Sequence, residues 1–357
     1  MKIVQVSPRY HPDIGGVETH VKEISERLAE RGFEVEVVCT DPRGRHPHRE
    51  TINGVDVKRF RSIAPDNAYF FAPQIYLYLK RARCDLIHAH GYHALPAFFA
   101  SLAKGDRRFV FTPHYHGKGH TPFRDLLHKP YRLVGSRIFR SADRIVFDSL
   151  YEMRLAERDF GVPGEKAERI TCGIDLDEFR GGGYERDEGK ILYVGRIEEY
   201  KGVQHIIRAL PHLGDRRLVV VGRGPYEQEL RLLAEDLEVG DRIEWLRDLP
   251  REELLDHYRS AGVFVSLSSF EAFGITVAEA LASGTPCIVA EDSALEEFVD
   301  GDSCFGLKRP ININELALKI EELSEKDLSG SDLRSDKIRS WDEVVDEHLR
   351  LYEELVL

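Results

Sequence analysis

Two loops in the second half of the chain carry charged side chains where predicted strands end and helices begin. The first loop, Gly195–Gly202, holds Arg196 and Lys201. Cations at a helix N-terminus oppose the helix dipole, so an anion bound between them and the backbone amides would explain both. A diphosphate fits this charge. The alternative is a pair of surface cations that bind no ligand.

The second loop, SSFEAFGITVAEA, spans 268–280. Glu271 precedes a predicted helix and Glu279 lies in its second turn, so both carboxylates are expected to face the space above the sheet. Such groups bind sugar hydroxyls, and backbone amides bind phosphate oxygens. The amides would come from Phe273, Gly274 and Ile275. The alternative makes Glu271 a helix cap and Glu279 a surface charge.

In the first half, Gly15 and Gly16 open the helix of GGVETH, just after the first predicted strand. Glycines there would let backbone amides approach an anion at the positive end of the helix dipole. The G-x-G-x-x-G spacing of a dinucleotide site is absent, so a simple flexible turn is the alternative.

Two histidine pairs lie at the ends of further strands of the first half, each pair on one face: His88 with His90, and His114 with His116. No carboxylate or cysteine completes a familiar ligand spacing, so a zinc site is not expected. The prediction is polar histidines that face a substrate.

These loops must be positioned by parallel sheets, because β-branched runs alternate with helical patterns along the whole chain. The fold class is therefore α/β, with two Rossmann-like, doubly wound halves. Ligands of such sheets bind beyond the carboxyl ends of the strands. The predicted strands are Lys2–Ser7, Glu34–Thr40, Val55–Phe60, Asp85–His90, Arg108–Thr112, Arg144–Asp148, Lys190–Val194, Arg217–Val221, Arg242–Leu246, Gly262–Leu267 and Pro286–Ala290.

A linker and hinge are predicted within Cys172–Gly189, a charged stretch that contains three successive glycines, 181–183. The expected domains are 1–180, 181–340 and a C-terminal helix, 341–357. The apolar stripe of that helix must be buried against another element.

The net charge of −12 argues against nucleic-acid binding, although 104–144 holds three Lys and seven Arg against three Asp. Within that segment apolar residues recur with helical spacing between the cations. The basic helix either is solvated and packs on its own domain, or contacts an anionic membrane or a phosphorylated acceptor. The apolar positions are Phe123, Leu126, Leu127, Tyr131, Val134 and Ile138.

The N-terminal residues enter a strand pattern directly, without the charged and apolar regions of a signal peptide. Five cysteines without a C-x-x-C pair are typical of reduced thiols. We therefore expect a cytoplasmic protein, peripheral at most on the inner face of the membrane.

The ordered set of motifs resembles the family-4 retaining glycosyltransferases of the GT-B fold. In those enzymes the second domain carries G-x-R, K-G five residues on, and E-x7-E. The resemblance extends over the whole chain, through GGVETH, DLIHAHG, FTPHYHG, GIDLDEF, VGRGP, EAFGITVAEALASGTP and SWDEVVDEHLRLYEEL.

The resemblance implies two domains that face a central cleft, with a last helix that crosses back to the N-terminal domain. It implies that a nucleotide-diphosphate sugar is the co-substrate, without a metal or other cofactor. The transferred hexose or N-acetylhexosamine would go to a glycan, lipid-linked or small-molecule acceptor.

Site residues follow from the same resemblance. Arg196, Lys201 and the 273–275 amides would bind the donor diphosphate and sugar, Glu279 the ribose and Gly16 the diphosphate. The catalytic pair would be Glu271 and His114, which face the transferred sugar. The remaining acceptor-side candidates are Glu18 and His116.

Three alternatives to this interpretation remain open. Asp175 and Asp177 match the D-x-D of metal-dependent transferases, but they lie at the predicted domain boundary. The chain could also be a GT-B-like nucleotide-sugar epimerase. A third alternative is a non-catalytic, membrane-associated protein that binds a nucleotide sugar.

Overall fold

A computed structural model of the chain describes residues 1–13, 15–65, 68–117, 122–179, 185–326 and 337–357, with the backbone alone for 122–129. The chain forms two compact units. The first unit consists of Met1–Gly173 and Trp341–Leu357, and the second unit of Ile174–Ser340.

The first unit is built on an eight-stranded sheet in the order β3-β4-β2-β1-β5-β6-β7-β8. All neighbouring strands are parallel except β3 and β4. The strands are β1 (Lys2–Val6), β2 (Glu34–Thr40), β3 (Arg49–Ile52), β4 (Val55–Phe60), β5 (Leu86–His90), β6 (Arg108–Thr112), β7 (Arg144–Phe147) and β8 (Ala167–Arg169).

The second unit has a six-stranded, all-parallel sheet in the order β11-β10-β9-β12-β13-β14. Its strands are β9 (Asp187–Val194), β10 (Arg217–Val221), β11 (Ile243–Leu246), β12 (Ala261–Ser266), β13 (Cys287–Ala290) and β14 (Cys304–Leu307). The order reverses direction at β9 and β12, the position at which such sheets place ligands.

Helices follow the strands in both units, which confirms the α/β prediction. They are α1 (Gly16–Glu30), α2 (Gln74–Leu79), α3 (Leu95–Ala103), α4 (Pro122–Ser141), α5 (Leu150–Phe160), α6 (Leu176–Phe179), α7 (Val203–Ala209), α8 (Glu227–Asp236), α9 (Arg251–Ser260), α10 (Ile275–Ala282), α11 (Ile313–Ser324) and α12 (Trp341–Val356).

The central strands of each sheet are buried and largely apolar, as a parallel sheet covered on both faces requires. Ile3, Val4 and Val6 of β1 are fully buried, and Ile191 and Leu192 of β9 take the same position in the second unit. Burial of one such side chain contributes about 1.5–3 kcal/mol to folding.

Helix α12 belongs to the first unit, as the resemblance implied. Its apolar stripe, which includes Trp341 and Val344, is buried. Salt bridges join it to the C-terminal end of α1, since Arg31, the residue that caps this helix, lies 2.8 Å from Asp346 and 3.1 Å from Asp342.

The two units divide between Gly173 and Ile174, whereas the expected boundary was residue 180. The predicted linker Cys172–Gly189 is partly regular, because it includes α6 and the first residues of β9. Its three glycines, 181–183, and the hinge expected near 180 lie outside the described residues.

The predicted basic helix is α4, which runs past an internal proline, Pro130. Tyr131 and Ile138 are buried, while Arg137 and Arg140 are exposed. The predicted positions Phe123, Leu126 and Leu127 have no described side chains.

Within the described part of the chain, none of the helices combines the length and apolarity needed to cross a bilayer.

The close packing of α12 in the first unit can be tested at Gly173. A Cβ at this position would lie 2.7 Å from the backbone N and Cα of Trp341, which cannot move without shifting α12. We expect Gly173→Ala to destabilise the protein by about 1–3 kcal/mol, as overpacking does. Thermal unfolding should show the melting temperature reduced by roughly 3–10 °C.

Gly164→Ala is the matched control, because its Cβ would meet no atom within 4 Å. Equal melting temperatures for the two variants would contradict the close approach of α12 to Gly173.

Candidate active site

The loop after β9 contains both predicted cations and is held close to the end of β12. Residues Glu199–Lys201 form a 3-10 turn, and α7 begins immediately after Gly202. Gly202 has a φ of +81°, and a Cβ there would lie 2.5 Å from the carbonyl oxygen of Leu267. The amide of Ser269 donates to the carbonyl of Tyr200 at 2.9 Å. The two charged loops are therefore fixed against one another.

Lys201 and Glu271 form an ion pair between these loops. The distance from Lys201 Nζ to Glu271 Oε1 is 2.6 Å, and the side chains are 14% and 22% exposed. Two residues predicted from separate motifs are thus brought together. The pairing contradicts the alternative of Glu271 as a helix cap, because Gly274 takes the N-cap position of α10 without a side-chain bond.

Arg196 lies on the same loop with an exposed side chain. Its guanidinium contacts Glu198 Oε1 at 2.9 Å and donates to the Tyr200 hydroxyl at 2.7 Å. The hydroxyl of the buried Tyr193 donates to the Arg196 carbonyl at 2.7 Å. These contacts fix the backbone of the loop and hold the guanidinium beside Glu198 and Tyr200, with 64% of the side chain exposed.

A third loop, which follows β10, packs on the same region through Gly222 and Gly224. A Cβ at either glycine would overlap a backbone carbonyl of the β9 loop, that of Gly195 or of Ile197. The amide of Ile197 donates to the carbonyl of Arg223 at 2.9 Å. The sequence motif VGRGP thus reflects close approach of backbones.

Helix α10 begins at the predicted amide group. Gly274 has a φ of +114°, and a Cβ there would overlap the side chain of Leu295. Phe273 is buried against Phe298, with ring centroids 5.3 Å apart. The first amides of any helix lack an intrahelical acceptor, so the start of α10 at Ile275 can bind an anion.

Glu279 is buried rather than exposed, which contradicts the surface-charge alternative. Its Oε1 accepts from Arg251 at 2.7 Å, and its Oε2 from the Tyr258 hydroxyl at 2.9 Å. Arg251 also donates to Glu178 Oε2 at 2.8 Å. Burial alone would lower the pKa of Arg251, but Glu279 and Glu178 raise it above its usual value.

Sequence reasoning missed Arg251 and Tyr258. Both lie on α9, seven positions apart, and this two-turn spacing places them on one helix face. The spacing is visible in the sequence, but nothing there shows that the face meets Glu279.

In the first unit, Gly16 begins α1 and faces open space, because a Cβ there would meet no atom within 4 Å. Glu18 is buried and pairs with Arg9, whose guanidinium nitrogen lies 2.7 Å from Oε1. Arg9 was not among the predicted residues.

The first histidine pair, His88 and His90, is completely buried, so the expectation that it faces a substrate is wrong for both rings. His88 Nδ1 lies 2.6 Å from the Tyr352 hydroxyl and its Nε2 2.7 Å from Thr112 Oγ1. His90 Nε2 lies 2.8 Å from Gln5 Oε1. Burial lowers the pKa of both histidines well below the ordinary value.

The second pair is less enclosed. His114 has a φ of +47° and a 10% exposed side chain, and its Nδ1 lies 2.6 Å from Asp148 Oδ2. His116 stacks on His93 with ring centroids 4.5 Å apart. His114 thus contacts Asp148, which follows β7, while His116 packs against His93, which follows β5.

The chain matches two family models in succession. Residues 14–178 match Glycosyltransferase Family 4, and residues 177–339 match Glycosyl transferases group 1. An uncharacterized glycosyltransferase of Methanocaldococcus jannaschii is 29% identical over 84% of this chain and 83% of its own length. The D-inositol 3-phosphate glycosyltransferase of Thermomonospora curvata is 26% identical over 98% of this chain and 93% of its own.

Solved structures share the fold over the full length. Sucrose-phosphate synthase from Thermosynechococcus elongatus aligns with a TM-score of 0.83 and 20% identity, covering 99% of this chain and 98% of its own. The Anabaena protein HepE, solved with UDP and glucose, aligns with a TM-score of 0.80 and 17% identity, covering 99% and 100%. Together with the two family models, these similarities show that the chain belongs to the family-4 glycosyltransferases and has their GT-B fold.

Proposed function

We propose that this glycosyltransferase is a retaining enzyme that moves a hexose or N-acetylhexosamine from a nucleotide-diphosphate sugar. The acceptor is a glycan, a lipid-linked sugar or a small molecule. The observation that carries the proposal is the Lys201–Glu271 pair, which joins a cation and a carboxylate near the positive end of α10.

The donor diphosphate binds to groups of the second unit. Lys201 and Arg196 supply positive charge, and the amides of Phe273, Gly274 and Ile275 supply hydrogen-bond donors. These groups also stabilise the charge that develops on the departing nucleotide diphosphate, so this step needs no metal. Lys201 then shares its ammonium group between Glu271 and a phosphate oxygen.

Glu279 accepts hydrogen bonds from the ribose hydroxyls of the donor. A carboxylate has about four lone-pair positions, and Arg251 and Tyr258 use two of them. The two protein contacts hold the carboxylate in one orientation and leave acceptor capacity for a ligand. This explains how a buried Glu279 serves a polar substrate.

The sugar is oriented by Glu271 and by His114. Because a carboxylate only accepts, Asp148 holds a proton on His114 Nδ1 and leaves Nε2 as an acceptor for a sugar hydroxyl. Gly16 lets backbone amides approach the diphosphate, and Glu18 and His116 remain acceptor-side candidates. The acceptor hydroxyl attacks the face from which the diphosphate leaves, and the leaving phosphate takes its proton.

Support for the donor class comes from proteins that share the fold. The Anabaena HepE structures contain UDP or UDP-glucose, and a starch synthase of Arabidopsis thaliana, with a TM-score of 0.71 and 15% identity, contains ADP. Both nucleoside diphosphates suit the site proposed here. We propose a cytoplasmic location, where nucleotide sugars are made.

A peripheral membrane contact is a second part of the proposal. On α4, Leu133 is 76% exposed beside the exposed Arg132, and Arg137 and Arg140 are exposed on the same helix. An exposed leucine among arginines is typical of a helix that lies on an anionic bilayer. Such docking would suit a lipid-linked acceptor.

The donor site is tested by Lys201→Ala. Thermal-shift screening of UDP, GDP, ADP and their glucose conjugates should identify a nucleotide that raises the melting temperature of the wild type, because it binds the folded state. In the variant that shift should be largely lost. The kcat/KM of transfer should fall roughly 100- to 1000-fold, as on removal of a charge-stabilising donor.

Lys319→Ala is the matched control, since Lys319 also pairs with a carboxylate at 2.6 Å, that of Glu322 on α11. It should keep both the shift and the activity. An unchanged nucleotide shift in Lys201→Ala would contradict the assignment of this loop to the diphosphate.

Retention is tested on the product. With an α-linked donor, proton NMR of the first turnovers should show an α-linked product, in the presence of EDTA as well as in its absence. A β-linked product would overturn the same-face mechanism.

Loss of activity with EDTA and recovery with Mn²⁺ would overturn metal-independent departure of the diphosphate. Donor turnover without an acceptor to a sugar epimer would instead support the epimerase alternative.

Membrane docking is tested by sedimentation with phosphatidylglycerol vesicles. The wild type should bind at low salt and be released as salt screens the charge. Arg137→Glu with Arg140→Glu should weaken binding at least about tenfold, because each basic residue contributes about 1 kcal/mol.

The control for docking carries the same charge change elsewhere, at the exposed Arg43 and Arg208. Equal losses for the two double variants would show attraction to net charge alone and would remove α4 as the docking surface.

A further inference from the structure

One buried carboxylate of the first unit joins the backbone beside His114 to the backbone of its hydrogen-bond partner. Glu152, on α5, is fully buried. Its Oε1 accepts from the backbone N–H of Tyr115, the residue after His114, and its Oε2 accepts from the backbone N–H of Asp148 at 2.8 Å. A single side chain therefore holds both ends of the His114–Asp148 pair.

The backbone of His114 needs such support because it is left-handed. Its φ of +47° lies in a region that few residues other than glycine adopt. On the preceding side, the carbonyl of Pro113 accepts from the amide of Tyr92 at 2.6 Å. On the following side, the bond from the Tyr115 amide to Glu152 holds the next peptide group. Residues in unfavourable backbone conformations persist where their surroundings fix them, and they concentrate in active sites.

The carboxylate of Asp148 sets the protonation of the His114 ring. Its Oδ2 lies 2.6 Å from His114 Nδ1, and its Oδ1 accepts from the Cys172 thiol at 3.5 Å. Burial alone would raise the pKa of Asp148, but His114 lowers it below its ordinary value. The ionised carboxylate only accepts, which keeps a proton on Nδ1 and the lone pair of His114 on Nε2. Among the described residues, no hydrogen-bond partner reaches that Nε2.

We propose that Glu152 is a positioning residue of the transfer reaction. By holding two backbone amides, it fixes the His114 ring relative to the Asp148 carboxylate and so sets the direction of the Nε2 lone pair. This inference rests on the proposed function, in which that lone pair accepts from a hydroxyl of the transferred sugar. Glu152 itself binds neither the sugar nor the nucleotide, so its effect on catalysis passes through His114.

The place of Glu152 on α5 also has an ordinary explanation, as part of a helix cap. Ser149 caps the helix, since its side chain accepts from the Glu152 amide at 3.1 Å. A glutamate three residues after a serine cap commonly bonds back to the amide of the cap residue. Here the carboxylate extends to Asp148, one residue earlier, and to the segment that follows β6. The start of a helix does not require this second contact.

Glu152→Gln separates the two roles. Glutamine has the same shape and serves equally in a helix cap, so α5 should form normally. Its side-chain nitrogen is a donor and would face one of the two backbone N–H groups, which would lose its acceptor. We expect kcat to fall roughly 10- to 100-fold, because a small misplacement of a group that orients the substrate has an effect of this size. Glu152→Asp, whose shorter side chain cannot reach both amides, should show the same loss and serves if glutamine prevents folding.

Two further readouts accompany this variant. The thermal shift caused by whichever of UDP, GDP or ADP stabilises the wild type should be unchanged in Glu152→Gln, because the diphosphate binds to groups of the second unit. Loss of that shift would overturn a role confined to the sugar. Far-UV circular dichroism checks that each variant is folded.

Glu157→Gln is the matched control, since it makes the same chemical change at an exposed glutamate of the same helix. It should keep the kcat of the wild type. Equal losses of kcat in Glu152→Gln and Glu157→Gln would overturn the proposal.

A double-mutant cycle with His114→Ala tests whether Glu152 acts through His114. In the His114→Ala background, Glu152→Gln should change kcat by less than about twofold, because the ring that it positions is already absent. A merely structural role would instead give the same fold-loss of kcat in both backgrounds, and that result would overturn the proposal.

His114→Ala alone distinguishes failure of this inference from failure of the proposed function. An unchanged kcat/KM in that variant would contradict the role of His114 in orienting the sugar, and the positioning role of Glu152 would be overturned with it. A reduced kcat/KM in His114→Ala, together with full activity in Glu152→Gln, would overturn the positioning role and leave the proposed function intact.

Discussion

The second unit depends on close contacts between backbone segments at glycines, where a Cβ would not fit. Gly202 meets the end of β12, while Gly222 and Gly224 meet the loop after β9. Three loops from three parallel strands can therefore share one small region beyond the carboxyl edge of the sheet. A methyl group added at any one of these glycines would force the loops apart. It would also separate Lys201 from Glu271.

Much of this fold could be predicted from the sequence, because central parallel strands are continuous β-branched runs. β2, β4, β6 and β10 have the predicted bounds. The missed strands lie at or near the sheet edges and are short: β3 is partly exposed, β8 has three residues and β14 contains a glycine. Such strands are specified by their neighbours rather than by their own composition.

The candidate site likewise contains some contacts that the sequence predicts and others that it does not. Lys201 and Glu271 could be predicted because each follows a strand at the same sheet edge, which brings distant loops together. The partners of Glu279, the pairing of Glu18 with Arg9 and the burial of His88 could not, since each depends on which helix face packs against which loop.

Arg251 binds two carboxylates at once, and this has a consequence for the response of the second unit to a ligand. It divides its guanidinium between Glu279 and Glu178, and Glu178 belongs to α6, the first helix of the second unit. A hydroxyl that donates to Glu279 weakens the hold of that carboxylate on the shared cation and strengthens the hold of Glu178. Arg251 therefore connects Glu279 with α6 at the start of the second unit, in addition to balancing the charge of both carboxylates.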